Sequence, residues 1–190
     1  MKKAFIVHGW GGSPEEPLHQ WLKLELGKRG FEVTIPQMPN SQAPVIGDWA
    51  LKLNETIKES GRETLLIGHS IGCQAILRHL EKLNPGVKVG KVILIAPWFT
   101  LTNLETKEEW EIARPWLETE IRETDVLKHT LEIVAIFSDN DPYVSLDNAE
   151  LFKKRFGAKI ILEKNKGHFT EDDGVREITS VLEIMDLAGA

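Results

Sequence analysis

The hydrophobic residues of this 190-residue chain fall into two alternating patterns. Short, nearly continuous apolar runs predict strands buried on both faces, and longer stretches with an apolar residue every three or four positions predict amphipathic helices. The strands are predicted at residues 4–7, 31–36, 64–67, 89–96, 131–137 and 159–162. The helices are predicted at about residues 13–29, 48–59, 71–83 and 145–156, and from residue 170 onwards. This alternation indicates an α/β fold with a parallel sheet covered by helices on both faces.

Two helix starts are predicted from their capping residues. Before the first helix, Ser13 fits the N-cap, Pro14 fits the first turn and Glu16 completes a capping box. The last helix is predicted to open at residues 170–173, which carry one Thr and three acids. Its buried stripe is predicted to consist of Val175, Ile178, Val181, Leu182 and Met185.

Residues 98–128 interrupt the alternation, because a single crossover helix needs fewer residues than this segment contains. The segment carries eight Asp or Glu against four Lys or Arg. An insertion at this place in the chain can fold over the carboxyl edge of the sheet, so we predict a short lid. Together with an aromatic residue of the first loop, its aromatic residues are predicted to line a small substrate pocket. The predicted lining is Trp10, Trp98, Phe99, Trp110 and Trp116.

Composition narrows the class of protein. With 42% hydrophobic and 27% charged residues the chain resembles soluble globular proteins, and its net charge of −6 argues against a nucleic-acid-binding surface. The single cysteine, Cys73, cannot form an internal disulfide, which fits a reducing compartment. The first apolar run ends after four residues and is too short for an export signal or a membrane span. We therefore expect one cytoplasmic domain over residues 1–190 that contacts neither membrane nor nucleic acid.

A Gly-x-Ser-x-Gly pattern lies at the junction of the third strand and the following helix, with Ser70 between Gly68 and Gly72. A strand that turns directly into a helix needs an unusual backbone conformation, and nearby glycines relieve the crowding. The serine hydroxyl then projects from the turn, beside the positive end of the helix dipole. Ser70 could instead be a plain helix N-cap. The preceding strand and both glycines favour a nucleophile.

A serine nucleophile needs a base and an acid that orients the base. On this type of sheet the acid and then the histidine follow the serine, in loops after later strands. His168 follows the sixth predicted strand, and both Asp139 and Asp141 follow the fifth. The residues alone leave the choice between the two carboxylates open, and Asp141 before Pro142 also fits a helix N-cap.

Two backbone N–H groups are needed to bind an oxyanion. Ile71 supplies one at the start of the helix, and Trp10 in the glycine-containing loop after the first strand is best placed for the other. That loop does not match a dinucleotide site, because Pro14 stands where the last glycine should be. No group of His, Cys and carboxylate residues has the spacing of metal ligands, so we expect neither a metal nor a cofactor.

These motifs resemble those of the α/β-hydrolases, and more narrowly the small serine hydrolases typified by retinoblastoma-binding protein 9. The resemblance rests on residues 8–12, 68–72, 138–144 and 167–169, and it covers nearly the whole chain. It implies a six-stranded parallel sheet of order 2-1-3-4-5-6. It also implies Asp141 as the acid, since this Asp is followed two residues later by an apolar residue. Ser138 departs from the family, in which glycine is usual at this position.

We therefore expect a serine hydrolase that cleaves a small ester, thioester or activated amide through an acyl-enzyme. Ser70, His168 and Asp141 are its expected catalytic residues, and the amides of Trp10 and Ile71 its expected oxyanion hole. The expected partner is a small-molecule acyl substrate, and the sequence identifies no protein partner. Two alternatives are a catalytically silent binding module and an acyltransferase on the same fold. A dehalogenase or epoxide hydrolase would require a carboxylate at position 70.

Overall fold

The computed structural model describes residues 2–186, and its centre is a six-stranded parallel sheet. The strands are β1 (Lys3–Val7), β2 (Glu32–Thr34), β3 (Thr64–His69), β4 (Val89–Ile95), β5 (Thr130–Ser138) and β6 (Lys159–Glu163). Their order across the sheet is β2-β1-β3-β4-β5-β6. The predicted α/β sheet and the strand order that the resemblance implies are confirmed.

Helices cover both faces of the sheet. They are α1 (Pro17–Lys28), α2 (Ile46–Thr56), α3 (Ile71–Glu81), α4 (Lys107–Glu118), α5 (Glu123–Lys128), α6 (Asp147–Phe156) and α7 (Thr179–Asp186). The side chains of β1 alternate between the two faces of the sheet. Phe5 and Val7 belong to the core on one face, and Ala4 and Ile6 belong to the core on the other. The first core includes residues of α2, α3 and α6, and the second includes residues of α1 and α7. No helix among the described residues is long and apolar enough to cross a lipid bilayer.

The first helix begins later than its sequence predicts. Residues 13–16 form turns, and α1 starts at Pro17, so Ser13 is not its N-cap. A proline suits the first helical position because its missing N–H has no partner there in any case. The Glu16 carboxylate still accepts the backbone N–H of Ser13, at 2.9 Å. Of the two hydrogen bonds of the predicted capping box, the one from the Ser13 backbone to the Glu16 side chain forms. It lies in the loop before α1 and not at the start of the helix.

The last helix also begins later than predicted, at Thr179 instead of near residue 170. The Asp173 carboxylate accepts hydrogen bonds from the backbone and hydroxyl of Thr170, and Gly174 has a φ of 76°. These turns are incompatible with a helix, although Val175 and Ile178 are buried as expected. Local side-chain hydrogen bonds have replaced the first turns of the predicted helix.

The inserted segment, residues 98–128, contains α4 and α5 and is attached to α3 by a buried arginine. Arg78 donates hydrogen bonds to the carbonyl oxygens of Trp116, at 3.0 Å, and Thr119, at 2.7 Å. Both carbonyls lie at the carboxyl end of α4, where helical partners are missing. Arg78 is only 4% exposed, and burial lowers the pKa of its guanidinium. The end of α4 is therefore held on the body of the fold by a buried cation.

Candidate active site

Ser70 occupies a strained turn between β3 and α3, with φ 52° and ψ −120°. A non-glycine residue adopts this conformation only where the surrounding structure imposes it. The two glycines allow α3 to lie directly against the sheet. A Cβ atom at Gly68 would lie 2.8 Å from the backbone N of Cys73, and one at Gly72 would lie 2.7 Å from the carbonyl oxygen of His8. The glycines are therefore required by close backbone packing.

The structure brings three of the predicted residues into one chain of hydrogen bonds. Ser70 Oγ lies 2.9 Å from His168 Nε2, and His168 Nδ1 lies 2.8 Å from Asp141 Oδ2. A proton on Nδ1 is held by the carboxylate, which leaves Nε2 free to accept from the serine hydroxyl. The indole N–H of Trp98 also reaches Ser70 Oγ, at 3.4 Å. This arrangement can transfer a proton away from the serine hydroxyl.

The structure separates the two candidate carboxylates. The Asp141 side chain is 1% exposed, and its other oxygen accepts the backbone N–H groups of Tyr143 and Val144, at 2.9 and 3.0 Å. Asp139 instead accepts the N–H of Asn165, at 2.8 Å. Of the two carboxylates, only Asp141 forms a hydrogen bond to the imidazole among the described contacts.

Three short polar side chains that the sequence does not single out for this purpose hold the loops after β5 and β6. Ser138 Oγ accepts the N–H of Lys166, at 3.0 Å, and Asn140 Oδ1 accepts that of Gly167, at 2.9 Å. Asp173 accepts the N–H of His168 itself, at 2.8 Å. The sequence feature that could have revealed these hydrogen bonds is the cluster of small polar residues at the end of a strand, because such residues favour hydrogen bonds from side chain to backbone.

Of the two residues whose amides are predicted to form an oxyanion hole, Ile71 directly follows Ser70, and Trp10 lines the same cleft as Ser70. Ile71 is the first residue of α3, so its N–H has no partner within the helix. In the loop after β1, Gly11 donates to the carbonyl of Ser41, at 2.7 Å, and Gly12 to that of Gly9, at 3.2 Å. The amide of Trp10, the residue before them, makes no backbone hydrogen bond to any described residue. Two N–H groups are thus available to a ligand.

A cleft of about 500 Å³ opens in front of Ser70. Trp10 and Trp98 line it as predicted, together with Leu101, Leu104 and Tyr143. Four carboxylate side chains line it as well, and no Lys or Arg is among its described lining residues. The acids are Glu16, Glu109, Glu171 and Asp172. The cleft therefore combines apolar walls with an acidic rim.

Three of the aromatic residues predicted for the pocket lie elsewhere, and the prediction is wrong for each of them. Phe99 stacks on Phe152, with ring centroids 4.6 Å apart. Trp116 is buried against Trp49, and its indole N–H donates to the carbonyl of Pro44, at 2.9 Å. Trp110 is 42% exposed and donates to the carbonyl of Leu104, at 3.1 Å. Phe99 and Trp116 therefore pack against helices of the fold, and Trp110 is hydrogen-bonded to the loop before α4, so none of the three lines the cleft.

Glu16, His19 and His69 meet beside the cleft, and one potential ligand atom from each lies within 4.8 Å of the others. Burial lowers the pKa of His19 and lowers that of His69 well below its ordinary value. Burial also raises the pKa of Glu16. The sequence analysis missed this cluster because His69 comes from β3, fifty positions after His19. Spacing along the chain shows only the Glu16–His19 pair.

The family model described as serine hydrolase matches residues 4–186. The chain belongs to the serine hydrolase family. The protein YdeN of Bacillus subtilis strain 168 is 26% identical over 185 residues, which cover 97% of this chain and 94% of that protein. The serine hydrolase RBBP9 of Rattus norvegicus is 26% identical over 171 residues, 88% of this chain and 87% of its own length. The predicted family membership is confirmed.

Solved structures show the same fold. The ydeN gene product of B. subtilis superposes with a TM-score of 0.88 at 25% identity, over 98% of this chain and 97% of its own. Est1E of Butyrivibrio proteoclasticus, solved with bound ferulic acid, has a TM-score of 0.71 at 16% identity, over 90% of this chain and 82% of its own. This serine hydrolase is therefore an enzyme with the α/β-hydrolase fold.

We expect Gly72→Ala to lower the free energy of unfolding by about 2–3 kcal/mol or more, since the new methyl group meets immovable backbone of β1 and its loop. Gly27→Ala in α1 is the control, because a Cβ there has no neighbour within 4 Å. It should raise stability by about 0.5–1 kcal/mol through helix propensity. Urea denaturation measures both. Equal effects of the two substitutions would contradict the packing argument.

Proposed function

We propose that this hydrolase cleaves a small carboxylic ester, thioester or activated amide through an acyl-enzyme, with Ser70, His168 and Asp141 as its catalytic triad. The observation that supports the proposal is the continuous line of hydrogen bonds at 2.9 and 2.8 Å that joins the three side chains. A serine that merely capped α3 would donate or accept at the helix start, and no such side-chain cap forms. The unusual backbone of Ser70 has its most direct explanation in presenting Oγ to the imidazole.

In the proposed first step, Ser70 Oγ attacks the carbonyl carbon as its proton passes to His168 Nε2. Negative charge moves to the carbonyl oxygen, which the amides of Trp10 and Ile71 bind. The intermediate collapses to the acyl-serine, and His168 gives its proton to the departing alcohol, thiol or amine. A water molecule then attacks the acyl carbon with the same imidazole as base, which releases the carboxylic acid and restores Ser70. Asp141 keeps the imidazole in the required tautomer throughout.

The cleft suggests what this enzyme accepts. We propose that residues 98–128 act as a lid, with Leu101 and Leu104 forming part of its inner wall. A volume of about 500 Å³ fits a small acyl group and its leaving group. The acidic rim disfavours anionic substrates and attracts cations, because no Lys or Arg is among the described lining residues. Arg176, outside the lining, pairs with one of the four acids, Glu171, at 2.7 Å. We therefore propose short acyl chains on neutral or cationic leaving groups.

Labelling with a fluorophosphonate, read by intact mass, tests the nucleophile. The protein should gain one phosphonyl group, and Ser70→Ala should gain none while also losing ester hydrolysis. Ser180→Ala is the control, since this buried serine lies on α7 and its variant should label fully. Persistent labelling of Ser70→Ala would show that another serine is activated. Absence of labelling in the unmodified protein would favour a catalytically silent binding module.

The acid is tested by comparing Asp141→Asn with Asp139→Asn. The first should lower kcat by about 10³–10⁴-fold, because an amide can hold the imidazole in the wrong tautomer. The second should have a far smaller effect, because Asp139 contacts the backbone of the His168 loop and not its ring. Steady-state hydrolysis of p-nitrophenyl acetate gives both values, with circular dichroism to verify folding. The reverse ranking would identify Asp139 as the acid.

The acidic rim predicts a preference by charge. For thioesters of one acyl group, kcat/KM should be higher with the cationic leaving group thiocholine than with the anionic coenzyme A. Added salt should reduce this difference in kcat/KM. Asp172→Asn, which removes one rim charge, should reduce the ratio by about two- to fivefold at low ionic strength. Glu183→Gln on α7 serves as an off-site control with unchanged ratio. If the ratio of the two kcat/KM values changed neither with salt nor with Asp172→Asn, shape alone would select the substrate.

A further inference from the structure

The hydrogen bonds of two histidines determine where their lone pairs lie. His69 Nε2 is 2.8 Å from the carbonyl oxygen of His168, and His19 Nδ1 is 3.1 Å from that of Ser13. A carbonyl oxygen only accepts, so each of these nitrogens carries the proton of a neutral imidazole. The other nitrogen of each ring, Nδ1 of His69 and Nε2 of His19, must therefore carry a lone pair.

Both lone-pair nitrogens are buried and have no partner among the described residues. The two rings are close, with centroids 6.1 Å apart. Two lone pairs cannot satisfy one another, and a buried acceptor without a donor is unfavourable. His8, the next histidine along, shows the contrast: one of its nitrogens faces the carbonyl of Gly9, and the other accepts the N–H of Met38. The lone pairs of His19 and His69 thus lack a partner among the described residues that could accept them, either an N–H or O–H donor or a cation.

Glu16 completes the set of donors. Its carboxylate lies 3.5 Å from His19 Nδ1, the nitrogen that carries the proton, and it lines the cleft together with His69. One potential ligand atom from each of the three residues lies within 4.8 Å of the others. Two neutral imidazoles and a carboxylate form the kind of ligand set that zinc accepts, with further positions left for solvent. In known zinc sites the second nitrogen of a ligating histidine commonly donates to a backbone carbonyl, as both histidines do here.

We propose that Glu16, His19 and His69 form a binding site for a divalent transition-metal cation, with Zn²⁺ as the best fit. The cation enters from the cleft, which Glu16 and His69 line. Bonds to zinc of about 2.0–2.1 Å require the three donors to draw closer than their 4.8 Å limit, so binding requires their side chains to move. The bound cation joins the loop before α1 to the turn that carries Ser70, and its role is to fasten these two segments.

The test is Zn²⁺ binding to chelator-treated protein, measured by isothermal titration and by native mass spectrometry. We expect one Zn²⁺ per chain, and a loss of affinity of at least tenfold in both His19→Gln and Glu16→Gln. Bound Co²⁺ should give visible absorption bands of a four- or five-coordinate site in the unmodified protein and in His79→Gln, but not in His19→Gln. His79→Gln is the matched control, because His79 also has a buried unpartnered nitrogen but stands outside the cluster.

Two further measurements separate this site from the proposed catalytic one. Ser70→Ala should bind Zn²⁺ as tightly as the unmodified protein, since the serine is not a ligand. Zn²⁺ should also raise the melting temperature of the unmodified protein and of His79→Gln, but not that of His19→Gln. Equal Zn²⁺ binding by the unmodified protein and His19→Gln would overturn the proposal. Absence of Zn²⁺ binding to the unmodified protein would also overturn it.

Discussion

The contact between α3 and the sheet is the constraint on which the rest of the molecule depends. Residues 71–80 of this helix are all buried, and its first turn presses against the backbone at the end of β1. Such an approach is possible only without side chains at Gly68 and Gly72. The chain must then reverse within one residue, which places Ser70 at a positive φ. The strain at that residue is maintained by the burial of the helix that follows.

The other two members of the site come from loops that would be independent without their polar cross-links. Ser138 at the end of β5 and Asn140 in the loop after it accept N–H groups of the loop after β6, and Asp173 accepts that of His168. The donors of these bonds belong to the backbone, so the bonds fix the path of the loop that carries His168. A catalytic geometry defined to a few tenths of an ångström needs such support from its surroundings.

Much of this was predictable from sequence, for identifiable reasons. Buried strands gave strong apolar runs, and the positions of Ser70, His168 and the Asp139/Asp141 pair followed from where those runs end. The starts of α1 and α7 were mispredicted because Pro17 and the Asp173 turn compete with helix formation. The sequence predicted that the aromatic residues of the inserted segment line a pocket, but not that Phe99 stacks on Phe152 and Trp116 packs against Trp49. Contacts between distant segments, such as His19 with His69, leave no trace in local spacing.

Arg78 on α3 attaches the inserted segment, residues 98–128, to the body of the fold at one place. Its hydrogen bonds hold only the carboxyl end of α4, whereas Leu101, Leu104 and Glu109, which face the cleft, lie toward the other end. Residues 99–103 have attachments of their own, to Asn148 of α6 and to the carbonyls of Pro142 and Tyr143. The two ends of the segment are thus held by different elements, and a substitution at Leu101 or Leu104 would change the wall of the cleft while leaving the hydrogen bonds of Arg78 in place.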